Sequence, residues 1–140
     1  MKSKKEVVAQ EPPTHAEELI ESIALIGYRV IVKYCKGETP HPGRAEVWEA
    51  SLKIADKLVA DGLLPECMKR TVNIKGYSFY CRIYHTASMG NLCIPERPGE
   101  KTDDPGSGNI ILYGLRAYKW RLTRRKAASL ILETAKQYSL

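Results

Sequence analysis

The apolar residues of this chain change their period along its length. From residue 44 to 61, Val47, Trp48, Leu52, Ala55, Leu58 and Val59 recur every three to four positions, with Glu46, Glu49, Lys53, Asp56 and Lys57 opposite. That is the repeat of an amphipathic helix, and Gly62 fits the C′ position that ends it. From Tyr77 to His85 the repeat is two: Tyr77, Phe79, Cys81 and Ile83 point one way, and Ser78, Tyr80, Arg82 and Tyr84 the other. A one-faced helix and a one-faced strand each need a second layer to cover the apolar side. The expectation is therefore α+β, a single compact domain with a mainly antiparallel sheet packed by helices. The 140 residues suffice for one such core and leave little room for two.

Local signals suggest the remaining elements. Residues 1–13 read as a flexible basic tail, and residues 14–140 as the domain. Thr14 with Glu17 fits a capping box ahead of Leu19, Ile20, Ile23 and Ala24, and Gly27 is expected to stop that helix. The β-branched and aromatic run Tyr28 to Tyr34 predicts a strand, and Lys36 to Gly43 a loop. Arg70 to Ile74 and Tyr77 to His85 form a hairpin, with Lys75-Gly76 as its turn. Residues 86–108 carry Gly90, Pro95, Pro98, Gly99, Pro105, Gly106 and Gly108, and read as one long Gly/Pro-rich loop. Asn109 to Leu122 predicts a long strand, and Arg124 to Tyr138 a closing helix capped by Thr123. The apolar phase of Leu115, Tyr118 and Leu122 does not continue into Ala127, Leu130 and Ile131, which argues against one helix across both. The expected order is α-β-α-β-β-β-α.

Charge is unevenly spread. Residues 1–66 hold nine basic and eleven acidic side chains, and residues 67–140 thirteen and five, so net charges of −2 and +8 make up the total of +6. The densest stretch is 116–126, where Arg116, Lys119, Arg121, Arg124, Arg125 and Lys126 surround Tyr118 and Trp120 with no acid among them. Guanidinium and ammonium groups contact phosphates, while aromatic rings stack on bases at ~1–3 kcal/mol each. Cations in the first turn of a helix oppose its dipole, which makes sense where an anion docks. These eight residues are the candidate nucleic-acid-binding site. Glu17, Glu18 and Glu21 make helix 14–26 acidic, a face better suited to packing against protein.

Read as α-β-β-β-α, the stretch 44–138 resembles the double-stranded-RNA-binding domain in element order. Thr123-Arg124-Arg125-Lys126-Ala127-Ala128 is similar to the basic, Ala-containing start of that family's last helix, which lies against phosphates. The loop 86–108 is longer than that family's, and helix 44–61 lacks its minor-groove contact residues. Lys75-Gly76-Tyr77-Ser78-Phe79 is similar to the RNP1 string of RNA-recognition motifs but departs from it at Tyr80 and Arg82. Both resemblances imply RNA.

Other chemistries have less behind them. Cys67, Cys81, His85 and Cys93 allow a tetrahedral zinc site, yet no Cys-x-x-Cys pair is present, and reduced cysteines serve equally as small core residues. There is no P-loop, HExxH, GxSxG or dinucleotide fingerprint. His41, His85, Glu96, Asp103 and Asp104 could assemble around Mg²⁺ for phosphodiester cleavage. Asp103-Asp104-Pro105-Gly106, however, is what a turn requires. No catalytic residue, cofactor or metal is expected. Apolar runs of about four residues fall far short of the ~20 that a spanning helix needs, and Val7-Val8-Ala9 is too short for a signal-peptide core. A cytoplasmic or otherwise intracellular protein without membrane contact is expected. Its partner would be nucleic acid, RNA ahead of DNA, or else an acidic protein surface within a larger assembly.

Overall fold

A computed structural model describes residues 11–106 and 108–140. Residues 1–10 of the expected tail, with Lys2, Lys4 and Lys5, lie outside the described residues. At the end of that stretch Pro13 is buried, and the Tyr138 hydroxyl donates to the Pro12 carbonyl at 3.4 Å.

Helices α1 (Ala16–Cys35) and α2 (Pro42–Ala60) come first. Strands β1 (Met68–Ile74), β2 (Tyr77–Thr86), β3 (Gly90–Pro95) and β4 (Glu100–Lys101) follow, and helices α3 (Asn109–Ala117) and α4 (Arg124–Gln137) close the chain. The fold is α+β, with an antiparallel sheet packed by helices, in the order α-α-β-β-β-β-α-α. β2 is central; β1 pairs along one edge, and β3 and β4 share the other. Helices α1, α2 and α4 pack on one another, α1 also lies on β3, and α3 contacts β3 and β1. One core joins Ile23 and Ile31 of α1, Ile54 and Leu58 of α2, Phe79 of β2 and Ile131 of α4. Among the described residues no helix is long and apolar enough to cross a membrane.

The helix at 42–60 and the Lys75-Gly76 hairpin form as expected. Pro42 occupies the first turn of α2, where its missing N–H costs nothing, and Gly62 follows with φ +77°. Lys75 and Gly76 both have positive φ, 48° and 82°, the backbone of a type I′ turn. Phe79, Cys81 and Ile83 are buried, as alternation required.

Five expectations are overturned. Gly27 does not end the first helix, and no strand forms at 28–34: α1 runs unbroken for 20 residues. A Cβ at Gly27 would stand 2.6 Å from the Cys93 carbonyl oxygen, so glycine here lets α1 lie against the β3 backbone. That close packing offsets the roughly 1 kcal/mol by which glycine disfavours a helix interior. Leu19, Ile23, Val30 and Tyr34 stay in one helical phase across it and are all buried, which outweighs the β preference of Val30-Ile31-Val32. The expected Thr14 cap is also absent, since His15 is the N-cap residue and no side-chain cap bond forms.

The loop 86–108 holds β3 and β4. Gly90 (φ +69°) and Pro95 bound β3 instead of breaking it, and Leu92, Cys93 and Ile94 between them are fully buried. The Trp48 indole N–H donates to the Pro95 carbonyl, tying α2 to the end of that strand. Finally, 109–122 is not a strand. Residues 109–117 form α3, which buries Leu112 and Leu115 three positions apart, and an irregular, bent segment leads from Tyr118 to Thr123. A short apolar run such as Ile110-Ile111-Leu112 has no period of its own to separate the two states. With β4 and α3 present, the α-β-β-β-α order resembling the double-stranded-RNA-binding domain does not form. The Lys75–Phe79 string covers a turn and the start of β2.

Candidate anion-binding cleft

The basic stretch 116–126 is divided by the fold. Its middle part is a strap that crosses α1 and is held from beneath by Glu21. This carboxylate is only 1% exposed. It accepts from the backbone N–H groups of Arg121 and Leu122, the latter at 3.0 Å, and from the Arg121 guanidinium at 3.3 Å. The hydrogen bond and charge of Glu21 raise the Arg121 pKa above its ordinary value. Trp120 is half-buried, 6.2 Å from the Tyr28 ring on α1 and 4.8 Å from Tyr118. Glu21, read as part of an acidic face suited to packing against protein, thus points inward, and the strap's aromatics pack on one another and on α1.

Beyond the strap, Thr123 caps α4, its hydroxyl accepting from the Lys126 N–H at 3.2 Å. Arg124 and Arg125 in the first turn face a cleft of about 460 Å³ between α1, α2 and α4. Three further cations reach the same cleft: Arg29 and Lys33 from α1, and Arg44 from α2. Ile26, Val30, Pro40, Val47 and Ala128 supply apolar walls, and among the described residues no acidic side chain lines it. Lys33 is paired with Glu38 at 3.2 Å. Arg29, Arg44, Arg124 and Arg125 have no ionic partner among the described residues. The Arg29 Nε is buried and lacks a hydrogen-bond partner there. Burial, then the charges of Arg124 and Arg44, lower the Arg29 pKa from its ordinary value. Cations crowded beside apolar walls repel one another more strongly than they would in open water.

Of the eight expected binding residues, Arg124 and Arg125 enter the cleft. Tyr118, Trp120 and Arg121 belong to the strap, and Arg116, Lys119 and Lys126 are exposed outside the cleft. Arg29, Lys33 and Arg44 were missed because they lie in the half of net charge −2. A shorter window shows them: residues 29–44 contain Arg29, Lys33, Lys36 and Arg44 against Glu38 alone.

Arg82 bonds Asp56 at 2.8 Å and Glu96 at 3.1 Å; burial lowers its pKa, but bonds to Tyr84 and Glu96 and the charge of Asp56 outweigh that and raise it. Cys81 and Cys93 lie together in the core, whereas His85 sits at the exposed end of β2 against Asn91 at 2.6 Å. Among the described residues no three His, Cys, Asp or Glu side chains gather as a metal site. Asp104 forms the turn its sequence implies: Oδ1 accepts from the Gly106 N–H and Oδ2 from the Asn73 amide, both at 2.8 Å. No family model, curated protein or solved structure matches the chain.

Proposed function

We propose that the protein binds nucleic acid without catalysis, contacting backbone phosphates through the cleft and the neighbouring cations Arg116, Lys119 and Lys126. The observation that carries this reading is the meeting in one cleft of four arginines from three helices, none with an ionic partner among the described residues. Phosphate is the anion best matched to clustered guanidiniums, which bind it in a fixed two-pronged geometry. RNA is placed ahead of DNA on the likeness of Thr123–Ala128 to an RNA-binding helix start. Binding should weaken steeply with salt, with a log–log slope of roughly 0.7–0.9 per phosphate contacted. Titrating single- and double-stranded RNA and DNA against salt tests this. Absence of binding to all four at about 50 mM salt overturns it.

A second reading, an interaction module docking an acidic protein surface, draws on α3. Ile110 is 82% and Tyr113 73% exposed, and Gly114 and Ala117 share their face. Exposed aromatics beside arginine are typical anchors of protein interfaces. Polyglutamate of matched charge separates the readings: competition as effective as that of RNA favours an acidic protein partner.

A further inference from the structure

We infer that the cleft receives a dianionic phosphoryl group, a phosphomonoester at the end of a nucleic-acid strand; this rests on the nucleic-acid reading above. The reasoning begins with valence. An internal phosphodiester brings one negative charge. A terminal monoester brings about −1.5 to −2 at neutral pH and three strong acceptor oxygens. Four arginines without ionic partners converge on one cleft of about 460 Å³, a positive charge that a single diester leaves mostly unbalanced.

The directions of approach agree. Arg29 rises from the α1 side, Arg44 from α2, and Arg124 and Arg125 from the start of α4. A tetrahedral group with three oxygens can meet donors from all three helices. The Arg29 Nε is buried and unpartnered among the described residues, so it already lacks the water that a surface guanidinium keeps. A phosphoryl oxygen bonded elsewhere on this guanidinium would supply a charge-assisted bond in place of part of that missing hydration. Arg124 and Arg44, which depress the Arg29 pKa, would exchange mutual repulsion for a shared counter-ion.

The walls identify which part of the ligand enters. Ile26, Val30, Pro40, Val47 and Ala128 are aliphatic, and among the described residues no aromatic side chain lines the cleft. It therefore offers a base no aromatic ring to stack on, and the phosphoryl group is the part of the ligand that its arginines hold. Inorganic phosphate and free mononucleotides share this chemistry and are separated from a strand end by experiment.

The test compares one single-stranded RNA sequence bearing a 5′-phosphate, a 3′-phosphate or hydroxyls at both ends, with inorganic phosphate and adenosine monophosphate as separate probes. At least one phosphorylated end should bind about tenfold tighter than the hydroxyl form. In Arg29→Met and Arg44→Ala that ratio should fall below about threefold. Arg44 is exposed, so its variant keeps the test open should Arg29→Met fail to fold. Equal binding of all three RNAs overturns the inference and leaves nucleic-acid binding standing. Phosphate or adenosine monophosphate bound without RNA, and lost in Arg44→Ala, keeps the phosphoryl receptor and overturns the nucleic-acid reading. No binding of any probe overturns both.

Discussion

The strap at 118–122 and the cleft beside it are both rich in cations, and both lean on α1. They differ in what lies beneath. Under the strap, Glu21 neutralises Arg121 and satisfies two backbone N–H groups, so the charge there serves the fold. In the cleft, Arg29, Arg44, Arg124 and Arg125 face one another with no carboxylate between them, an arrangement that folding alone does not reward. Adjacent residues of one basic run thus have opposite relations to stability. Counting charges along the sequence cannot reveal this, because the deciding groups, Glu21 and Arg29, belong to another helix.

The sharpest way to break this contrast is Glu21→Leu. It leaves the Arg121 and Leu122 N–H groups without their acceptor, and the expected loss is about 3–4 kcal/mol. An unchanged melting temperature would mean that the strap is not held in this way. Gly27→Ala comes next. Its added methyl must push α1 off the Cys93 carbonyl, costing about 2 kcal/mol despite better helix propensity, as chemical denaturation would read. Trp120→Ala should cost about 1–2 kcal/mol, since the ring is half-buried against Tyr28 and Tyr118. Its effect on the salt slope of RNA binding should be negligible; a large drop would move the strap into the binding surface. The smallest effect on stability belongs to Arg124→Ala with Arg125→Ala. Removing two cations from the start of α4 should raise stability by a few tenths of a kcal/mol. The same pair should lower the salt slope by up to about 0.7–0.9, since both arginines face one phosphate site.

What could be read from the sequence follows the same division between local and distant causes. Helix α2 and the β1–β2 hairpin were legible because period, cap and turn chemistry agree within each segment. The capping of α4 by Thr123 was legible from the break in apolar phase. Gly27 was misread because its role depends on a carbonyl 66 residues away, at Cys93. β3 was hidden because the Gly and Pro that bound it were taken to exclude it. In the candidate site, Arg124 and Arg125 stood out in a dense run. Arg29, Lys33 and Arg44 did not, being spread over two helices in the half of the chain with net charge −2.

Gly27 lies between Glu21, which fastens the strap, and Arg29, which enters the cleft. The two outer residues are eight positions apart, so a continuous α1 holds them at a spacing of ~12 Å. Because α1 touches the β3 backbone at Gly27, it cannot slide or turn in place. The helix therefore works as a ruler with its zero mark at that contact. A single residue inserted between Gly27 and Arg29 would leave the strap fastened and swing Arg29 by ~100° away from the cleft, while a full added turn would restore its direction but move it ~5 Å along the axis. Length changes within this helix are therefore far more restricted than side-chain changes on its outer face.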